Sequence, residues 1–339
     1  MPPRKGVTIY DVAQRAGVSK SLVSLVLQNS PKVGRTRREA VLAAIDELDY
    51  RPSRAAAALA GSRTRSLGVV IDDFSNPWYV GLLDGLHAGL EGSQINVSVS
   101  DQHLNAHRDE SPVDGFIAAR VDALLIAGEL AERECERLAR LSIPTVIAGI
   151  RSRMVPGADV VRSEERRGAA LAVEHLVKLG HRRIAYITGR TAPAAERENG
   201  YREQMKAAGL APVVVGQEGR TNEPEAYHHT RALLTQSPHD ALPTAILAAN
   251  DTMAMGVAGA LREKGLSIPG DVSLVGYDNS PLATSRLLDL TSVDNHNTAV
   301  GEASAQLLRG RIENLDTPAQ VVSIDTELVI RGSTAAVHP

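Results

Sequence analysis

Residues 8–27 read TIYDVAQRAGVSKSLVSLVL, a short amphipathic stretch broken near its middle by a glycine. Thr8 is followed three residues later by Asp11, a pairing with which a helix satisfies its own first N–H groups. Val12 and Ala13 supply a buried side. Gly17 suits a turn that needs positive φ, and Val18 can close a small core beneath it. Ser19 is fit to cap a second helix with Leu22, Val23 and Val26 on its inner face. The small Ala13 lets the two helices approach, and Val23 packs back. An ordinary helical hairpin shares some of these features. Together they describe a helix-turn-helix, whose second helix lies in the major groove of DNA.

The next segment, GRTRREAVLAAIDELDY, predicts a third helix with Val41, Ile45 and Leu48 on one face and Arg35, Arg37 and Arg38 at its start. Cations at a helix N-terminus oppose its dipole. That placement makes more sense beside phosphates, although a solvated cluster has the same composition. Residues 1–66 hold twelve Lys/Arg against five Asp/Glu, a net +7, while the rest of the chain carries −10. A basic head on an acidic body is the footprint of nucleic-acid binding by one end. Residues 51–66, RPSRAAAALAGSRTRS, could start a helix at Pro52–Ser53 and stop it at Gly61. About eight residues fall short of the roughly 12–15 that a lone helix needs in water, so something else must order it.

From Ser66 onward short apolar runs alternate with amphipathic stretches. Strands are expected at 66–72, 95–100, 123–128 and 144–149, and a second set at 183–188, 212–216, 244–249 and 271–278. Alternation of this kind implies parallel sheets with helices on both faces, and two sets imply two lobes. A chain of 339 residues fits two or three domains. There is no run of about 18 apolar residues to span a membrane. The basic start MPPRKGVTIYDV has no apolar stretch behind it, so no secretory signal is expected. Cys135 is the only cysteine, which excludes an internal disulfide and a cysteine-based zinc site. These features lead to the cytoplasm.

Ligands of open α/β sheets bind beyond the carboxyl ends of the strands. After the first body strand comes DDFSNPWY. Only ten residues of the chain are aromatic, yet Phe74, Trp78 and Tyr79 fall within six positions. An aromatic face stacks on a sugar ring or a base, and Asp72 and Asn76 can bond hydroxyls. Trp78 and Tyr79 would equally serve to start a helix and pack in the lobe core. Asp251, in LAANDTMAMG, is expected to cap the helix that follows it.

The stretch 8–27, the segment AIDELDYRPSRAAAALAG and the large C-terminal body together resemble the lac-repressor (LacI/GalR) family of transcription regulators, over nearly the whole chain. The resemblance implies a helix-turn-helix head (1–51), a hinge helix (52–65) and a periplasmic-binding-protein-like body (66–335). Lobe 1 would span about 66–162 and 292–322, and lobe 2 about 163–290 and 323–335, with crossings near 161–164, 289–293 and 322–326. In that family the first residues of the second helix read base edges. The DNA-contacting set carried over is Thr8, Ser19, Lys20, Ser21, Ser24 and Leu25. Lys20 would donate to a guanine or to a phosphate, and Leu25 would touch a thymine methyl where many relatives have arginine. Paired hinge helices would enter the minor groove, with Leu59 as the wedge, Ala56 at the close contact and Arg54 on phosphate. A passive linker is the alternative.

In the body the resemblance assigns Asp72, Phe74, Asn76, Trp78, Arg197, Asn250, Asp278 and Asn295 to a small-molecule effector, with a sugar or sugar derivative as the class. Two departures stand out. Ala148–Gly149 lie where many relatives have an aspartate, which would enlarge the pocket or remove a hydrogen bond, and Glu164–Glu165 replace a frequent Asp-Asn.

Three other readings compete. An enzyme would need a phosphate loop, a dinucleotide fingerprint or a nucleophile elbow, and none is present. The pairs His103/His107 and His228/His229 lack convincing carboxylate or cysteine companions, so neither catalysis, a metal nor a cofactor is expected. An exported solute receptor conflicts with the basic head. A DNA-binding protein without effector control leaves the interlobe polar residues without a task. The expectation is a ligand-controlled regulator on a near-palindromic double-stranded DNA operator, with no membrane partner. The chain ends VIRGSTAAVHP without heptads, which favours a homodimer over a tetramer.

Overall fold

A computed structural model of the chain describes residues 7–27, 30–50, 64–106, 111–236, 238 and 241–337. It divides into two compact units, residues 1–64 and 65–339. Arg54, Ala56 and Leu59 lie outside the described residues, as do the rest of 51–63 and His107.

The first unit holds helices α1 (Ile9–Ala16), α2 (Lys20–Leu27) and α3 (Arg35–Glu47). The capping box forms as the spacing requires. Thr8 N–H donates to Asp11 Oδ2 at 2.7 Å, and Asp11 N–H donates to Thr8 Oγ1 at 3.4 Å. Gly17 ends α1 at φ 64°, the left-handed conformation that glycine adopts without steric cost. Ser19 Oγ accepts from Leu22 N–H at 3.2 Å at the start of α2. Val12, Ala13, Val23, Val26, Val41 and Ala44 bury together, so a core of small side chains draws three short helices close. Arg15 pairs with Glu47 at 2.6 Å and ties the end of α1 to α3.

The second unit carries two six-stranded sheets. In the first, β1 (Ser66–Ile71), β2 (Asn96–Asp101), β3 (Ala123–Ile126), β4 (Thr145–Ala148), β5 (Asp159–Ser163) and β11 (Val321–Ile324) run parallel in the order β11-β5-β4-β3-β1-β2. The second holds β6 (Ile184–Ile187), β7 (Val213–Val215), β8 (Ala245–Ala248), β9 (Ser273–Tyr277), β10 (Thr291–Asp294) and β12 (Glu327–Val329), in the order β12-β10-β9-β8-β6-β7. Only β12 is antiparallel in it, pairing Asp294 with Glu327.

Helices cover both faces of the first sheet. Leu67, Val69 and Ile71 point into a cluster with α4 (Trp78–Gly89) and α11 (Asn297–Glu313). Val70, Leu124 and Ile126 face α5 (Pro112–Ala119) and α6 (Glu132–Leu141) on the other side. Strands buried on both faces therefore read as continuous apolar runs, which is why the sequence marked them. In the second lobe α7 (Glu165–Lys178) packs on α8 (Ala192–Ala207), and α9 (Glu223–Gln236) on α10 (Asp251–Glu263).

The chain passes between the lobes at 163–165, 294–297 and 324–327. The second and third crossings fall a few residues later than expected. The reason is that β10 pairs with β9 in the second sheet before the chain leaves that lobe, and β11 pairs with β5 before it leaves the first. A buried ion pair fastens the returning helix to the first lobe: Arg311 of α11 grips Asp159 of β5 through both guanidinium edges, one at 2.7 Å. Asp159 also accepts from Gln320 N–H at 2.8 Å, just before β11. Among the described residues no helix is long and apolar enough to cross a membrane.

Candidate functional site

Two places in the molecule concentrate groups suited to recognition. On the head, Lys20 and Ser21 at the start of α2 are exposed, while Ser24 and Leu25 are half-buried. Leu25 packs against the head's own core, so only part of it is left for a base. Thr8 and Ser19 spend their side-chain oxygens on helix caps. Tyr10, which the sequence reading passed over, is 64 % exposed, and Lys20 Nζ lies 3.5 Å from its hydroxyl and 5.1 Å from its ring centre. A large aromatic side chain left in the open exposes apolar surface, and the available signal was its place in α1 outside the Val12–Ala13 face.

In the body, strand ends of both sheets open onto a cavity of about 300 Å³. Asp72, Asn76 and Trp78 line it from the first lobe, and Arg197, Asn250 and Asp278 from the second. Phe74 and Asn295 are not among the lining residues. Phe74 is 44 % exposed, its backbone N–H held by Asp101, and Asn295 is fully buried behind Asp278.

The second-lobe wall is a network of ion pairs and hydrogen bonds centred on Arg197. Arg197, 7 % exposed, donates from Nε to Glu165 at 2.6 Å, from Nη1 to the Ala249 carbonyl at 2.5 Å and from Nη2 to Asp278 at 3.1 Å. Its guanidinium carbon stands 3.8 Å from the centre of the Tyr277 ring. Burial pulls the Arg197 pKa down, and the two carboxylates more than reverse that, holding it well above the ordinary value. Asp278 also accepts from Asn295 Nδ2 at 2.9 Å, and burial raises its pKa against the opposing pull of Arg197. Glu165, read as a departure from relatives, is thus a counterion of Arg197.

The cap expected of Asp251 is made by its neighbour Asn250, which lines the cavity as well. The cap of α10 is Asn250, whose Oδ1 accepts from Met253 N–H at 2.7 Å. Asp251 is the first helical residue instead. Its carboxylate reaches across to Ser292 Oγ (2.6 Å) and Ser280 N–H (2.7 Å), and burial raises its pKa to about 6.

The first-lobe wall is built differently. Asp72 accepts from Glu129 N–H at 2.7 Å and from the Tyr79 hydroxyl at 3.0 Å. Asn76 Oδ1 accepts from Trp78 N–H at 3.0 Å at the start of α4. Trp78 is 8 % exposed and meets Tyr79 edge-on at 5.3 Å, so it both packs in the lobe and lines the cavity. The departure at Ala148–Gly149 does not simply enlarge the pocket, because Arg151 folds back over Gly149.

Arg151, Arg190, Glu129, Glu218 and Arg220 line the cavity as well and were not singled out. Each follows a strand end by a few residues, the same positional signal that picked Asp72. His103 meets Arg220 Nη2 at 3.2 Å across the lobes. His229, read as lacking an acid, has Glu225 at 3.3 Å one turn earlier. Among the described residues one group has metal-like spacing, Asp294, His296 and Glu327 at a lobe crossing. There Asp294 is already taken up by Asn279 Nδ2 and the His296 backbone N–H.

Residues 8–53 match the profile of bacterial regulatory proteins of the lacI family, and residues 173–334 that of a periplasmic binding protein-like domain. Catabolite control protein A of Priestia megaterium is 30 % identical, covering 97 % of this chain and 99 % of its own. The HTH-type transcriptional repressor PurR of Haemophilus influenzae (strain PittEE) is 31 % identical, again over 97 % of this chain and 99 % of its own. Among solved structures, the lac repressor dimer bound to operator and the anti-inducer ONPF superposes with a TM-score of 0.82 at 27 % identity, covering 98 % of this chain and 100 % of that one. A CelR–cellobiose complex gives 0.69 at 28 % identity, over 96 % and 99 %. With relatives of this identity spanning almost its full length, a helix-turn-helix at one end and a two-lobed body behind it, the chain belongs to the LacI family of DNA-binding transcription regulators.

Proposed function

We propose that the chain is a homodimeric repressor, acting in the cytoplasm, that binds a near-palindromic double-stranded DNA operator under the control of a small-molecule effector. Residues 1–51 read the operator, with Lys20 and Ser21 at the base edges. Residues 52–65 form the hinge, with Leu59 as its minor-groove wedge, and 66–335 bind the effector and dimerise. The effector is a sugar or sugar derivative held by Asp72, Asn76, Trp78, Arg197, Asn250 and Asp278. The observation that carries this reading is the cavity between two lobes that the chain crosses three times. A ligand touching both walls has a different free energy for each lobe angle, and that difference is what shifts an equilibrium. The dimeric lac repressor on its operator and the cellobiose complex of CelR support the same assignment by family.

The test begins with selection of bound sequences from a random DNA pool, followed by fluorescence anisotropy with and without candidate effectors. A two-fold-related site should emerge, and the effector should change its affinity by roughly 5–150-fold. Leu59→Ala should weaken the selected site far more than random DNA, since only a kinked site uses the wedge. Failure to select any sequence over random DNA would sink the proposal.

A further inference from the structure

The first-lobe wall of the cleft contains a cation that has no charge partner among the described residues. β4 stops at Ala148, Gly149 turns with φ 79°, and the Arg151 side chain lies back over it, with Nη2 3.3 Å from where a Cβ of residue 149 would stand. The guanidinium donates to the carbonyls of Ala127 and Ile150, the latter at 2.8 Å, and both acceptors are neutral. Its Nε is buried with no hydrogen-bond partner. The Trp78 ring, 6.0 Å from the guanidinium carbon, has a buried Nε1 that is likewise unpartnered. A buried donor without an acceptor costs on the order of 1–3 kcal/mol, and both residues line the ligand cavity, where an acceptor can come from outside the chain.

The other groups of the cleft point the same way. Asp72, Asp73, Glu129 and Asp278 already accept from the protein's own N–H and O–H groups. Arg190 on the opposite lobe has no side-chain partner among the described residues, and Arg220 meets only the His103 ring. Glu218 beside Arg190 likewise has no side-chain partner among the described residues, so those two charges offset each other and the excess of open donors is local to Arg151 and Trp78. Each hydroxyl of a neutral polyol brings a donor along with its acceptor lone pairs and no charge; carboxylates and phosphates bring acceptors together with charge, and guanidinium pairs with either through two parallel bonds.

We infer that Arg151 and Trp78 receive an anionic group of the effector, so that the effector is an acid or phosphate derivative and not a neutral sugar. The inference rests on the reading of the cleft as the effector site. Both orphaned nitrogens are covered by their neighbours, so receiving the ligand requires the flexible Arg151 side chain to rotate away from Ala127, with no backbone movement.

Calorimetry and thermal-shift measurements on the full chain test this. The probes are glucose, galactose and ribose, the acids gluconate, glucuronate and galacturonate, and the esters glucose 6-phosphate, galactose 6-phosphate and ribose 5-phosphate. At least one acid or ester should bind while its neutral parent does not, and the arm that responds separates carboxylate from phosphate. Arg151→Gln should weaken that binding at least tenfold with the melting temperature of the protein alone unchanged, and Arg151→Lys should restore part of it. A neutral parent binding as tightly as its anion, undiminished binding by Arg151→Gln, or silence from every anionic probe would each overturn the inference. A neutral sugar that alters operator affinity equally in wild type and Arg151→Gln would leave the effector site standing and remove only its anionic character.

Discussion

The two walls of the cleft are made from the same parts, strand ends and helix starts, yet they are bonded in opposite ways. On the second lobe Arg197 is enclosed by Glu165, Asp278, the Ala249 carbonyl and the Tyr277 ring, and each of its three guanidinium nitrogens has an acceptor within the lobe. On the first lobe Arg151 meets two carbonyls, and among the described residues its Nε and the Nε1 of Trp78 have no hydrogen-bond partner. One arginine holds its lobe together and the other is available. A wall that must keep its shape while the lobes move is best made from satisfied charges; selectivity needs groups whose bonding is still incomplete.

The largest expected effect is on the satisfied side. Arg197→Ala strands Glu165 and Asp278 as buried carboxylates and should cost about 3–5 kcal/mol, read by denaturant unfolding of the full chain. Arg151→Gln, measured alongside, should stay within about 1 kcal/mol of wild type. Equal losses would erase the contrast between the walls. They would also make Arg197 unusable as a ligand probe, because loss of the effector response would then follow from misfolding.

A second comparison concerns protons. Burial favours the neutral form of Asp251, so between its ordinary pKa near 4 and its folded value of about 6 the folded chain binds more protons than the unfolded one. Stability from this group is full below about pH 4 and declines as pH rises to about 6. Asp251→Asn keeps a neutral partner for Ser280 and Ser292 and removes the titration. Wild type should therefore lose on the order of 2 kcal/mol relative to the variant over that window. Parallel stability curves for the two proteins would show that Asp251 is charged in the folded chain.

The smallest effects come from the matching asparagines. Asn76 and Asn250 both line the cleft and both spend Oδ1 on a helix start. Replacing either by alanine should cost about 1 kcal/mol in stability. Asn250→Ala should in addition weaken effector binding, because its Nδ2 has only a long 3.5 Å contact to the Thr221 carbonyl and is free to turn to a ligand. Binding unchanged in both variants would assign them to capping alone.

Local signals made the head legible. The capping box, the turn glycine and the apolar spacing all act within a few residues, and each forms where the sequence put it. Strands buried on both faces were legible for the same reason. β5, β10, β11 and β12 were not, because segments such as DVVRS and TSVD are mixed in character; β5 and β10 extend their sheets from β4 and β9, and β11 and β12 join β5 and β10 only after a lobe crossing. In the site, Asp72 and Trp78 could be read from one strand end, whereas Arg151 could not. Its place depends on a side chain lying back over Gly149, a relation between three residues that no spacing rule contains. Asp251 was mistaken for a cap because two capping residue types stand next to each other, and only backbone geometry decides between them.

The three passages between lobes also impose an order on synthesis. The stretch from 297 to 329 delivers α11 and β11 to the first lobe and β12 to the second, so neither sheet has all its strands until almost the whole chain has been translated. Until then Asp159 sits in β5 without Arg311 and without the Gln320 amide, a carboxylate in a cleft of exposed apolar surface that α11 will later cover. Domains usually fold as they emerge from the ribosome, N-terminal first. Here the first lobe to be made is among the last to be finished, and a nascent chain stalled before residue 297 presents chaperones with two incomplete lobes behind a head that is already complete.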